Sequence, residues 1–327
     1  MQGRMNKNIM DISVVVPLYN EEESLPELFA WISRVMAANG FSYEVIFVDD
    51  GSSDTSWSII SDLAEKHSEA KGIKFRRNYG KSAALYCGFD RAVGDVVITM
   101  DADLQDSPDE IPELYKMIMT DGYDLVSGWK KVRYDSKLAK NLPSKLFNAT
   151  TRAISGIKLH DFNCGLKAYR KNVVKSIEVY GEMHRYIPYL AKNAGFKKIG
   201  EKVVIHQARK YGTSKFGFNR FFNGYLDLIT LWFLSTFGKK PMHFFGFVGS
   251  MMFLLGFIAV SLVGGAKLYH IMNGTSAPLV TSSPYFYLAL TSMVIGTQLF
   301  LTGFVAELVS RNASERNDYK LEETKNL

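Results

Sequence analysis

Two stretches near the C-terminal end restrict this chain more than any other feature. Residues 244–263 and 285–306 each run for roughly 20 residues without a charged side chain. A helix rises 1.5 Å per residue, so each is long enough to cross a hydrocarbon core of about 30 Å. A helix buried in a soluble core is the competing reading, but two such segments in succession favour spans at about 244–266 and 285–307. Neither lies near the N-terminus, and residues 1–10 lack the apolar region of a signal peptide. Lys267 is the only Lys or Arg between the spans. Lys239 and Lys240 precede the first, and Arg311 and Arg316 follow the second. The positive-inside rule then predicts a multi-pass protein of the inner (cytoplasmic) membrane, with both termini and everything before residue 240 in the cytoplasm.

The rest of the chain reads differently. Short β-branched runs at Ile12–Pro17, Tyr43–Val48, Gly72–Phe75, Val96–Met100 and Asp124–Ser127 predict strands. Helical patterns at Glu22–Ala38, Thr55–His67, Lys81–Val93 and Ile111–Thr120 fall between them. This alternation predicts an α/β domain over 1–215 with a mainly parallel sheet and helices on both faces. Residues 129–141 are basic and read as a loop. Over 216–240, Phe218, Phe221, Phe222, Tyr225, Ile229, Trp232 and Phe233 recur at helical spacing. That stripe predicts an amphipathic helix lying on the bilayer, against the alternative that it packs on the domain's own core. Residues 241–310 hold the spans, and 311–327 form a tail. Cys87 and Cys164 are too few and too far apart for a disulfide framework or a zinc site. The net charge of +6 fits an anionic membrane surface and phosphate substrates, and no nucleic-acid-binding motif is present.

The chemistry concentrates at strand ends. Asp101-Ala102-Asp103-Leu104-Gln105 follows the fourth strand. In an open α/β sheet ligands bind there, and paired carboxylates suit Mg²⁺ or Mn²⁺ with a diphosphate. The alternative is that these acids only cap the next helix. Asp49-Asp50-Gly51-Ser52 ends the second strand as a turn or a ligand site, and Pro17-Leu18-Tyr19-Asn20-Glu21 ends the first. No GxGxxG or Walker A sequence occurs, so a dinucleotide or P-loop site has only weak support.

Pro17-x-x-Asn20-Glu21, Asp49-Asp50-Gly51-Ser52-x-Asp54, Asn78-x-Gly80-Lys81 and Asp101-Ala102-Asp103-Leu104-Gln105 occur in order. With Asp161-x-x-Cys164-Gly165-Leu166-Lys167-Ala168-Tyr169-Arg170 and Arg209-x-x-Gly212-x-Ser214-Lys215, the set resembles the family 2 glycosyltransferases of GT-A (Rossmann-like) fold. More narrowly, it resembles the enzymes that load one sugar onto polyprenyl phosphate. The resemblance covers nearly the whole chain, including both spans. It implies metal and diphosphate contacts at Asp101, Asp103 and Gln105. It implies nucleotide-sugar contacts at Pro17, Tyr19, Asn20, Glu21, Asp49, Asp50, Lys81 and Ala102. Phosphate or acceptor contacts fall to Lys130, Arg133, Arg185, Arg209, Ser214 and Lys215, and catalytic roles to Asp103 and to Asp161, the latter as base or acceptor-orienting acid. Gly128-Trp129-Lys130 stands where relatives often carry Gly-Ser-Arg, so the fork of Arg is lost there. The Gln-x-x-Arg-Trp motif of processive synthases is absent, which implies transfer of a single sugar. The implied partners are a UDP- or GDP-sugar, polyprenyl phosphate and the bilayer, with a homo-oligomer also open. Another membrane lipid such as diacylglycerol as acceptor, or a silent scaffold, stays open at this level. His184 and His206 read as structural hydrogen-bonding residues rather than ligands.

Overall fold

The computed structural model describes residues 10–131, 141–208, 210–211, 226, 229–230, 232–233, 236–237, 241–276, 278–312 and 321–326. Arg133, Arg209, Ser214 and Lys215 lie outside these residues, as do most of 216–240 and the 132–140 part of the basic loop. The chain divides into two units, residues 1–228 with 316–327, and residues 229–315.

The first unit is built on β1 (Ile12–Leu18), whose seven residues are all buried. A strand this uniformly apolar needs cover on both faces, which a parallel sheet supplies. β2 (Tyr43–Asp49) and β4 (Val96–Thr99) flank it in parallel, and β3 (Ala70–Phe75) extends the sheet beyond β2. β5 (Leu125–Trp129), β6 (Lys167–Arg170), β7 (Ile199–Val203) and β8 (Leu321–Lys325) complete it. Among the described residues the order is β7-β5-β6-β4-β1-β2-β3-β8, with β6 and β8 antiparallel to their neighbours.

The helices are α1 (Leu25–Asn39), α2 (Ser56–Lys66), α3 (Lys81–Arg91), α4 (Ile111–Met119), α5 (Asn141–Ser155), α6 (Lys171–Ser176) and α7 (Ile187–Asn193). α1 buries Leu25, Leu28, Phe29, Ile32, Val35 and Met36, the i, i+3, i+4, i+7 face that its sequence carries. Each such side chain removed from water contributes about 1.5–3 kcal/mol. α1 starts at Leu25, three residues later than its pattern predicts. Residues 21–24 form a turn closed by Ser24 N–H on Glu21 O at 3.2 Å. α3 lies close on β1 because Gly88 has no side chain: a Cβ there would stand 2.3 Å from Val15 Cγ1.

The chain runs β1, β2, β3 outward in one direction, then crosses back to lay β4 on the other side of β1. The strand order therefore reverses between β1 and β4. A crevice opens at such a reversal, beyond the carboxyl ends of the strands.

The second unit is a helical hairpin of α8 (Pro241–Met272) and α9 (Pro284–Asn312). Mean hydropathy reaches 2.2 in the first and 1.7 in the second, so both are long and apolar enough to cross a bilayer. The backbones meet at glycines. A Cβ on Gly249 would lie 2.6 Å from Gly296 O, one on Gly296 2.6 Å from Gly249 O, and one on Gly256 2.6 Å from Ala289 O. Ser292 Oγ donates to Met252 O at 2.9 Å. Without a hydrophobic drive between helices, close approach of small residues and such bonds hold a hairpin together in lipid.

Candidate active site

The loops after β1 and β2 are laced to each other. Asn20 N–H donates to Ser52 Oγ at 2.9 Å, and Asn20 Oδ1 accepts from Ser53 N–H at 2.9 Å. Asn20 does this at φ 55°, a left-handed conformation that Asn tolerates better than most residues. Glu21 N–H reaches Ser56 Oγ at 3.0 Å. Asp49 and Asp50 then divide two tasks. Asp49 Oδ1 accepts from Ser52 N–H at 2.9 Å, while its buried Oδ2 has no hydrogen-bond partner among the described residues. Burial raises the Asp49 pKa above its ordinary value. An unpaired buried acceptor is costly, and a donor on a nucleotide base or ribose would satisfy it.

Asp50 spends both oxygens on backbone, Oδ1 on Tyr79 N–H at 2.7 Å and Oδ2 on Gly80 N–H at 2.9 Å. Burial pushes its pKa up to about 6, against the pull of those two bonds. Asp50 thus shapes the turn that launches α3. Gly51 packs on that turn at φ 74°, where a Cβ would lie 2.6 Å from the Arg77 carbonyl carbon.

α3 begins with Lys81, whose Nζ pairs with Asp101 Oδ1. Burial alone would raise Asp101, but Lys81, Lys130 and Lys167 together hold it down at about 2. It is therefore a carboxylate at neutral pH. The helix-cap alternative fails for this motif: the next helical segment, Pro108–Glu110, is capped by Ser107, whose side chain accepts from Asp109 N–H at 3.3 Å. Ala102 and Leu104 point into the core, and Leu104 holds φ 59°. For a residue that size the left-handed backbone costs about 1–2 kcal/mol, a strain of the kind found where a site fixes a turn. The turn lets Asp103 Oδ1 accept from Gln105 N–H at 3.2 Å. Gln105 O in turn accepts from Gln207 N–H at 2.9 Å, which ties the motif to the segment after β7.

Lys130 Nζ is buried against Asp106 Oδ1 at 2.6 Å. Burial opposes its charge, but Asp106 raises its pKa above the ordinary value. In this structure Lys130 neutralises an acid under the motif. His206 is buried and bridges Asp106 backbone to backbone.

A small cavity behind Asp101 is lined by Lys81, Asn163, Gly165, Lys167, His184 and Arg185. Lys167 is 3% exposed, and its Nζ donates to Cys164 O. Burial and the nearby Lys81 lower its pKa. His184 hydrogen-bonds Ser82 Oγ through Nδ1 at 3.1 Å, and burial with Lys81, Arg185 and Lys167 keeps its pKa well below the ordinary value. It is a neutral structural imidazole. Arg185 Nη2 lies 3.7 Å from Glu182 Oε2. Gly165 packs directly on the acid, since a Cβ there would lie 2.5 Å from Asp101 Oδ2. Asp161, 1% exposed, heads the same loop.

The structure thus brings together Pro17 to Glu21, Asp49, Asp50 and the Asp101 motif at adjoining strand ends, with Lys81 on the motif. Arg185 shares the cavity with Lys81, and Asp161 heads the loop whose Gly165 packs on Asp101. The sequence reading missed Lys167 as a site residue. Lys167 and Tyr169 alternate on a strand whose antiparallel pairing with β4, not any pattern of its own, turns both to the cavity.

No cluster of three His, Cys, Asp or Glu residues among the described residues could hold a metal alone. Mg²⁺ or Mn²⁺ shared with a diphosphate needs only one or two protein carboxylates, so the hard oxygen donors of Asp101 and Asp103 fit it.

A mainly parallel sheet with an acid-x-acid turn beyond the strand-order reversal defines a Rossmann-like GT-A fold. The sequence profile of Glycosyl transferase family 2 matches residues 13–178, and the chain belongs to that family. It is similar to dodecaprenyl-phosphate galacturonate synthase of Rhizobium johnstonii, 34% identical over 92% of this chain and 88% of the relative. It is also similar to undecaprenyl-phosphate 4-deoxy-4-formamido-L-arabinose transferase of Pectobacterium carotovorum, 39% identical over 94% of this chain and 90% of the relative. Among solved structures, glucosyl-3-phosphoglycerate synthase of Mycobacterium tuberculosis, crystallised with Mn²⁺, UDP-glucose and glycerol 3-phosphate, shares the fold. Its TM-score is 0.51 at 20% identity, over 70% of this chain and 81% of that one. Mannosyl-3-phosphoglycerate synthase of Rubrobacter xylanophilus gives 0.55 at 14% identity, over 68% and 74%.

Proposed function

We propose that this glycosyltransferase moves a single sugar, with inversion, from a nucleotide diphosphate-sugar to polyprenyl phosphate at the cytoplasmic face of the membrane. One observation carries the reading. Relatives named for transfer to polyprenyl phosphates align with 92% and 94% of this chain, a share that takes in the Asp101 crevice and the apolar hairpin together.

The crevice supplies the chemistry. Asp49 and the laced loops after β1 and β2 receive the nucleotide. Asp101, Asp103 and Gln105 would hold a divalent cation, as the Mn²⁺ and UDP-glucose bound by the M. tuberculosis fold relative support. When bound, that cation takes up charge developing on the departing diphosphate. Lys81 releases Asp101 and moves onto the diphosphate. Arg185, with Arg133, Arg209, Ser214 and Lys215, grips phosphate groups, while Lys130 steadies the motif through Asp106. A lipid phosphate has a second pKa near 6, so at neutral pH it is already a strong oxygen nucleophile. Asp161 therefore orients the acceptor more than it removes a proton.

The test is incubation of purified protein with Mg²⁺ or Mn²⁺, undecaprenyl phosphate and a panel of labelled UDP- and GDP-sugars. A lipid-linked monosaccharide with inverted anomeric configuration is expected. Folded protein that makes no such product with any donor, or glycosylates diacylglycerol in preference, overturns the reading.

A further inference from the structure

Four consecutive backbone N–H groups around Asp161 each donate to a side-chain oxygen. His160 N–H reaches Glu201 Oε1 at 2.7 Å, and Asp161 N–H reaches the same oxygen at 3.1 Å. Phe162 N–H reaches Asn148 Oδ1 at 3.2 Å, and Asn163 N–H reaches Asp161 Oδ1 at 3.0 Å. From the other side Ser127 Oγ donates to Asp161 O at 3.3 Å. A loop inside a helix or ladder would take its shape from backbone bonds. This one takes its shape from Glu201 on β7 and Asn148 on α5.

Both residues are sequestered. The Glu201 side chain is 12% exposed and Asn148 is 6% exposed. The second oxygen of Glu201 is also occupied, by His160 Nδ1 at 2.6 Å. The His160 ring stacks on Trp129 with centroids 4.1 Å apart and planes at 12°. Trp129 ends β5, immediately before the Lys130 that pairs with Asp106. The far end of the loop is fastened to β4 by Thr99 Oγ1 on Gly165 O at 2.8 Å, and Gly165 packs on Asp101. The loop thus joins Asp161 to Asp101, and its shape is set by two residues that bond its backbone rather than either carboxylate.

We propose that Glu201 and Asn148 are positioning residues for sugar transfer, Glu201 foremost, acting by holding the Asp161 loop in its working shape. The inference rests on the proposed reading that Asp161 serves the acceptor step.

The experiment is a double-mutant cycle in the full-length protein with undecaprenyl phosphate and the donor found active. Glu201→Ala is expected to lower kcat by about 10- to 100-fold, with KM for the nucleotide-sugar changed less than about 2-fold. Glu201→Gln keeps an oxygen for both N–H groups and an amide for His160, so it should restore most of the rate. In an Asp161→Asn background, Glu201→Ala should cost less than about 3-fold more, because the two act as one unit. Should Glu201→Ala fail to fold, Asn148→Ala carries the same expectation. Fully multiplicative losses, or a loss confined to donor KM, overturn the positioning role and leave the proposed reaction standing. Full turnover by Asp161→Asn overturns the role of Asp161 and this inference with it. A wild-type protein that makes no lipid-linked product overturns the reaction itself.

Discussion

Asp50 and Gly165 show how single residues hold this site without belonging to its chemistry. Asp50 titrates near 6 in the folded chain and near 4 in the unfolded one. Between those values the folded state keeps a proton that the unfolded state has lost, so the group's contribution to stability falls as pH rises from about 4 to about 6. The full difference is up to about 3 kcal/mol. Denaturant unfolding from pH 4 to 7 should therefore show a downward slope that Asp50→Asn flattens. Gly165 presses on Asp101, and a methyl there would overlap the carboxylate. Gly165→Ala should leave the fold intact by circular dichroism while weakening Mn²⁺-dependent nucleotide binding by about 10-fold, read by calorimetry. The acids of the site were legible because they follow uniformly apolar runs, where a polar residue marks a strand end. Lys167 was not legible as a cavity residue, because its place depends on the antiparallel register that sets it opposite Thr99. Glu201 was hidden for a similar reason: it acts 40 residues away from the loop it holds.

At the level of elements, legibility follows self-sufficiency. β1, β2 and β4 carry enough apolar side chains to declare themselves, and each lies within two residues of its expected bounds at either end. β6, β7 and β8 read Lys-Ala-Tyr-Arg, Ile-Gly-Glu-Lys-Val and Leu-Glu-Glu-Thr-Lys, and none was expected. Their strand state comes from the neighbours they pair with, which short polar-rich segments cannot announce. The helical hairpin was legible in both members from its uncharged stretches, while only the structure separates the glycines that pack from those that do not. Gly249 and Gly256 meet α9, whereas Gly264 and Gly265 have nothing within 4 Å of an added Cβ. Gly249→Leu is expected to destabilise the hairpin by about 1–3 kcal/mol, seen as a lower melting temperature in detergent, while Gly264→Ala leaves it unchanged.

For the whole molecule, donor identity is read most directly through stability. A ligand that binds only the folded first unit, at 100 times its dissociation constant, adds about 2.7 kcal/mol. With Mn²⁺ present, the cognate UDP- or GDP-sugar should raise the melting temperature, and Asp101→Asn should abolish the rise. The last strand carries a different lesson. β8 lies in the same sheet as β1 to β7, paired to β3, and Asn326 Nδ2 donates to Ala64 O at 2.8 Å. Strands cannot share hydrogen bonds across a bilayer. Were both helices of the intervening hairpin to cross a bilayer, the excursion would have even parity and return the chain to the side it left. The edge of the sheet would then act as a parity check on the membrane segment, and a variant that gained or lost one crossing could not seat its own final strand.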